Sequence, residues 1–144
     1  MQIRRMSKED IAVVAKMEQQ IFSSPWSKDS IEKEYQLKEN IYLVAEAEGA
    51  IIGYCGIWTS FETADLCNIA VNPDYRRKGI AGEILEQAFR LCQQRRIEQM
   101  LLEVRESNEP AIVLYEKYHF EKIDIRKGYY RNPTENAIIM QRKF

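Results

Sequence analysis

Residues 63–104 constrain the fold more than any other part of the chain. "TADLCNIAV" (63–71) and "QMLLEV" (99–104) are short runs of β-type residues. Between them Ala81, Ile84, Leu85, Ala88 and Cys92 recur on one face of a helix, with Glu83, Glu86 and Gln87 elsewhere. A strand over 63–71, a helix over 79–96 and a strand over 99–104 make a βαβ crossover, which places its two strands parallel. Pro73 ends the first strand, because proline has no N–H for a ladder and restrains the residue before it.

The remaining segments predict an antiparallel surround. Residues 2–5 read as a short strand, and Ser7 with Asp10 resembles a capping arrangement. Ile11, Val14 and Ala15, then Glu18 or Phe22, trace one face of a helix. "SSPWSKDS" is a break, after which Ser27 caps a second helix carrying Ile31, Tyr35 and Leu37. From Ile41 the period changes to that of strands. "IYLVAEA" and "IIGYCGIWTSF" pair across the hairpin turn "EGA", with 63–71 antiparallel to the second of them. Asn108 and Pro110 open a helix running to about Tyr118, and "FEKIDIRKGYY" and "NAIIMQRKF" are two closing strands. The order is β-α-α-β-β-β-α-β-α-β-β, an α+β fold with a mixed, mostly antiparallel sheet. No repeat or linker divides it, so residues 1–144 are expected to form one domain.

Composition removes several function classes. The net charge of −1 argues against general nucleic-acid binding. No apolar run reaches the roughly 18–20 residues of a membrane span, and "MQIRRMSKED" has no apolar core for a signal peptide. A cytoplasmic protein, monomeric or weakly dimeric, is the expectation. Cys55, Cys67 and Cys92 lack C-x-x-C spacing and read as reduced, mostly buried thiols. His119 is the one histidine, so neither a Cys-His catalyst nor a metal site is expected.

The crossover helix opens on "YRRKGIAGE". A helix N-terminus presents unpaired N–H groups and a partial positive charge, which attract phosphate. Gly79 brings no side chain against a ligand, and Arg76, Arg77 and Lys78 add charge. A pyrophosphate cradle from the amides of residues 77–82 and a solvated basic turn both satisfy this pattern. Neither G-x-x-x-x-G-K-[ST] nor G-x-G-x-x-G is present.

Arg76-Arg77-Lys78-Gly79-Ile80-Ala81 resembles the [RQ]-x-x-G-x-[GA] motif of the GNAT superfamily of acetyl-CoA-dependent N-acetyltransferases, with "NIAVNPDY" leading into it. "PWS" (25–27), "LLEVRESNEPAIVLYEKYHF" and "GYYRNPTENAIIM" are similar to its RimI subfamily, and the likeness runs from about Ile3 to Met140. The resemblance implies helices on both faces of the sheet and a splayed parallel strand pair holding acetyl-CoA. It implies cofactor contacts from Ile69, Ala70, Val71, Arg77, Lys78, Gly79, Ile80, Ala81, Gly82 and Asn108. It also implies a substrate, the N-terminal alanine of a small-subunit ribosomal protein.

Acetyl transfer needs a neutral amine, and a free α-amine titrates near about 8. It also needs a proton acceptor, support for the oxyanion and a proton for the departing thiolate. Glu103 is the one charged residue of "MLLEV". An apolar strand would raise its pKa, as suits a general base, and pairing with Arg105 is the alternative. The resemblance assigns it the base. Tyr115 lies on the stripe Ala111, Leu114, Tyr115, Tyr118 and reads as core; the resemblance makes it the acid that protonates the thiolate. Asn108 reads as an N-cap, and its amide has a donor to spare for the cofactor. An edge N–H near Val71 suits the thioester oxygen. Trp26, Tyr129 and Tyr130 are walls of a peptide groove or lids over the core. Glu46, Glu48, Glu62 and Asp65 form an acidic rim or a solvated face. His119 stands where many relatives have Gly, in a turn expected to need a left-handed residue. Three rivals remain open: another amine acceptor, a non-catalytic acyl-CoA-binding module, and an RNA-contacting module built on Arg76, Arg77, Lys78, Arg95 and Arg96.

Overall fold

A computed structural model describes residues 1–144. Its strands are β1 (Gln2–Arg5), β2 (Ile41–Ala47), β3 (Ala50–Ser60), β4 (Thr63–Val71), β5 (Gln99–Arg105), β6 (Glu121–Tyr130) and β7 (Glu135–Lys143). Its helices are α1 (Ile11–Ile21), α2 (Lys28–Tyr35), α3 (Ile80–Gln94) and α4 (Glu109–Lys117). One seven-stranded sheet runs in the order β1-β2-β3-β4-β5-β7-β6. Every pairing is antiparallel except β4 with β5, the pair the crossover requires.

Strand alternation sorts the core onto two faces. Ile41, Leu43 and Ala45 of β2 join Ile84, Leu85 and Ala88 of α3 in a cluster of 23 buried residues that also takes Tyr115 of α4. Tyr42 and Val44 face the other way, toward Val14, Ala15 and Ile31 of α1 and α2, in a cluster of 10. The helices therefore cover both faces, α3 and α4 on one, α1 and α2 on the other.

Capping follows the local chemistry. Asp10 accepts from the backbone N–H and hydroxyl of Ser7, at 2.8 and 3.0 Å, and Arg4 donates to it at 2.7 Å. Ser27 Oγ accepts from Ser30 N at 3.1 Å. His119 has φ 73°, the left-handed value expected of that turn. Two edges differ from the sequence expectation. Phe61 turns out of β3 at φ 54° and is 94% exposed, and Leu37 lies beyond α2 and is half exposed.

The site is positioned by an irregularity in β4. Its register with β3 steps from Gly56↔Asn68 to Ile57↔Leu66, so Cys67 is an extra residue, a β-bulge. Its parallel pairing with β5 runs from Thr63↔Gln99 to Leu66↔Leu102 and stops. Beyond that point the two strands part, and β5 continues against β7 alone.

Candidate active site

The gap between β4 and β5 opens into a cleft of about 1280 Å³. That exceeds the roughly 300–1000 Å³ of an ordinary small-ligand pocket. Its β4 wall is an unpaired backbone edge. Asn72 N donates to Ile52 O at 2.8 Å, so by antiparallel alternation Ala70 faces β3, and the peptide groups of Ile69 and Val71 face the gap. Arg76 Nε reaches back to Val71 O at 3.3 Å, which leaves the Val71 N–H beside it.

The loop into α3 turns sharply. Arg77 has φ 65° and Gly79 φ 75°, both left-handed. A Cβ on Gly79 would meet nothing within 4 Å, so it is the backbone conformation, not crowding by the protein, that favours glycine here. The first α3 amide with an intrahelical partner is that of Glu83, which donates to Gly79 O at 3.1 Å. The preceding amides of Ile80, Ala81 and Gly82 have no such partner. Gly82 is buried against α4, and a Cβ there would stand 1.9 Å from the Tyr118 hydroxyl. Arg77, Gly79, Ile80, Ala81 and Gly82 all line the cleft. Lys78 does not; its Nζ stands 5.4 Å over the Tyr75 ring. Free amides, two left-handed residues and the nearby Arg76 and Arg77 suit a pyrophosphate group.

Glu103 and Tyr115 meet in the same cleft. Glu103 is exposed, which removes the burial that the apolar "MLLEV" suggested. Strand alternation is the reason: Met100, Leu102 and Val104 fill the core, and Leu101, Glu103 and Arg105 face away from it. Its ionic partner is Arg126 of β6 at 3.6 Å, not Arg105. Arg105 instead binds Glu135 and the carbonyls of Arg131 and Pro133.

Tyr115 is buried, with 8% of its surface exposed, and its ring meets Phe120 edge-on at 5.7 Å. Burial, ahead of nearby Tyr130 and Cys55, pushes its phenol well above the usual range, so it is a protonated donor at neutral pH. Asn108 Oδ1 accepts from Ala111 N at 3.3 Å and caps α4, leaving the amide nitrogen for a ligand.

Three aromatic residues, Trp26, Tyr129 and Tyr130, also line the cleft. Tyr129 and Tyr130 meet edge-on at 5.1 Å, with Arg105 4.5 Å over the Tyr130 ring. The pull of Glu103 on its hydroxyl proton, ahead of burial, pushes Tyr129 up, though no hydrogen bond of normal geometry joins them. Burial pushes Tyr130 up to about 12. Trp26, from the loop between α1 and α2, stacks on Trp58 of β3 at 5.6 Å. Of the four acids proposed for a rim, Asp65 alone lines the cleft, and Glu46 is tied to Arg4 at 3.1 Å.

Sequence reading missed Arg126, Trp58, Asn68 and the role of Glu18. Glu18 is 0% exposed, and its carboxylate accepts from Trp26 N at 2.9 Å and from Asn68 Nδ2 at 3.1 and 3.0 Å. The signal was present: it stands four residues after Val14 on the apolar stripe of α1.

A model of the acetyltransferase (GNAT) family matches residues 11–120. A Bacillus subtilis protein provisionally named ribosomal protein bS18-alanine N-acetyltransferase is 42% identical over 141 residues, 96% of this chain and 92% of its own. The crystal structure of the Escherichia coli ribosomal-protein-S18-alanine N-acetyltransferase superposes with a TM-score of 0.92 at 30% identity, over 99% of this chain and 92% of that one. A GNAT acetyltransferase from Elizabethkingia anophelis, solved with acetyl-CoA bound, shares the fold at a TM-score of 0.80 and 21% identity, over 99% and 97% of the two chains.

Proposed function

The chain belongs to the acetyltransferase (GNAT) family, and on that footing we propose that it acetylates the α-amine of an N-terminal alanine on a small-subunit ribosomal protein. The observation that carries the reading is the parting of β4 and β5 after Leu66 and Leu102, with Glu103 and Tyr115 in the resulting gap. Acetyl-CoA, held by the cradle at residues 77–82 and by Asn108, would supply an activated thioester carbonyl.

The residues then divide the work. Ile69 and Val71 offer peptide groups along the gap; the Val71 N–H supports the oxygen of the reacting carbonyl. Glu103 takes a proton from the incoming amine, directly or through one water, a step typically worth about two to four powers of ten in rate. Tyr115, kept protonated by burial, gives a proton to the departing thiolate. Trp26, Tyr129 and Tyr130 wall the acceptor end of the cleft. The amine attacks directly. The one thiol in the cleft, Cys67, is pushed up to about 12 by burial and then by Asp65, Glu34 and Glu103, so it is not a thiolate nucleophile at neutral pH.

The test is thiol release from acetyl-CoA with two peptides that copy the N-terminus of the ribosomal protein. One has a free α-amine and the other has it blocked. Release with the free peptide alone is the expected result. Release with both would mean side-chain acetylation, and release with neither, despite acetyl-CoA binding, would mean a different amine or a binding module.

A further inference from the structure

A carboxylate buried without a cation is costly, and apolar residues usually occupy such positions. Glu18 breaks that rule. It is fully enclosed, and none of the four ion pairs of the molecule includes it. Both its partners are neutral, the Trp26 backbone N–H and the Asn68 amide. The titratable groups nearby are the phenols of Tyr42 and Tyr54, in the apolar cluster of α1, and the thiol of Cys67 beside Asn68.

What the carboxylate joins is informative. Trp26 belongs to the loop between α1 and α2, whose Ile21, Phe22, Ser23 and Ser24 also line the cleft. Asn68 follows the bulge of β4 and precedes Ile69 on the open edge. The stack of Trp26 on Trp58 joins that loop to β3, and these three hydrogen bonds are its polar tie to β4.

We propose that Glu18 is a positioning residue for the acceptor: its carboxylate pins the α1–α2 loop to β4 and so sets the wall against which the end of the acceptor peptide is held. This rests on the acceptor reading above. Glu18 does not line the cleft, and its hydrogen bonds go to Trp26 and Asn68, so it acts on acceptor binding through them. An ionised carboxylate suits two donors best; protonated, it would present a donor of its own to the Asn68 amide. Burial, partly offset by its two partners, pushes Glu18 up to about 7. The two hydrogen bonds favour the ionised form and burial the protonated one, so the hydrogen bonds of the tie are strongest above neutrality even though the fold as a whole is less stable there.

The test is Glu18→Gln, which stays neutral at every pH, compared with wild type from pH 6 to pH 8.5. At pH 8 the KM for the peptide is expected to rise about tenfold, the loss of a charge-assisted hydrogen bond. The KM for acetyl-CoA and kcat should stay within about threefold, and the peptide KM gap should close toward pH 6. Asn68→Ala, which cuts the tie from the strand side, should show the same split and add little to Glu18→Gln. Equal changes in kcat and both KM values, or a gap that does not vary with pH, would overturn the proposal. Hydrogen exchange at the Trp26 amide separates this from failure of the proposed function. If wild type turns over no peptide, faster exchange in Glu18→Gln still supports the tie, and unchanged exchange overturns it.

Discussion

Gly82→Ala should leave the protein folded and weaken acetyl-CoA. The added Cβ would lie 1.9 Å from the Tyr118 hydroxyl, 2.6 Å from Cζ and 3.0 Å from Cε2. Comfortable heavy-atom contacts begin near about 3.5 Å, so the hydroxyl must retreat by about 1.5 Å or more. Tyr118 is half-buried at the end of α4 and can turn, at an off-rotamer cost of about 0.5–1.5 kcal/mol. Alanine gains about 0.5–1 kcal/mol over glycine inside a helix. The two nearly offset, so Tm should move by less than about 4 °C. Both residues line the cleft, however, and the displaced ring has the cofactor's space to move into. The KM for acetyl-CoA should rise about tenfold, equivalent to about 1.4 kcal/mol, with kcat kept within about threefold. The assay is thiol release against acetyl-CoA concentration, paired with thermal melts. In a Tyr118→Ala background Gly82→Ala should have almost no effect on KM. A fall in Tm of about 10 °C or more, with an unchanged acetyl-CoA KM, would refute the reasoning by showing that the contact is packing alone.

Glu103→Gln should lower kcat by about two to four powers of ten while acetyl-CoA binding, measured by calorimetry, survives. Tyr115→Phe should also lower kcat and keep the melting temperature, because Tyr115 lines the cleft and its hydroxyl has no hydrogen-bond partner in the protein to lose. Arg4 hydrogen-bonded to Asp10, outweighing burial, holds that carboxyl down at about 2 from 3.8. The folded value is below the unfolded one, so its contribution of about 2 kcal/mol is present above about pH 4 and lost as pH falls through about 2. Asp10→Asn should therefore flatten the acid limb of the melting curve. Glu18 has the opposite sign. Its folded value of about 7 lies above the unfolded 4.5, so its contribution is fully present below about 4.5 and lost as pH rises through about 7, up to about 3 kcal/mol. The Tm of Glu18→Gln relative to wild type should climb between pH 5 and pH 8; a constant offset would show that Glu18 does not titrate there.

The crossover was legible because its signal is local: a helical stripe between two β runs and a proline to stop the first. The left-handed turn at His119 was legible for the same reason, a position in a helix exit with few conformations to choose from. The bulge at Cys67 was not, since a bulge is defined by the neighbouring strand and β4 carries no mark of it. Glu103 shows both sides. Its place in the strand was readable, yet the apolar run around it read as burial, and only the sheet's alternation shows that its side chain stands in the open. Arg126 reaches Glu103 across β7, a pairing created by strand order and invisible in sequence spacing. Glu18 was on the page as an acid on an apolar stripe, and its partners Trp26 and Asn68 stand eight and 50 positions away.

The parted strands have a consequence for the protein's upkeep. A sheet usually exposes its hydrogen-bonding groups only at its two outer rims, where short or charged strands discourage other chains. Here a third rim, from Cys67 to Val71, runs through the middle of the sheet. A guest with amide groups can lie along it as a substitute strand, and any such guest that prefers the folded chain raises its stability in proportion to the logarithm of its concentration. The same rim is open to an extended segment from another molecule. The concentration of the guest would then govern how long the protein stays folded as well as how fast it works.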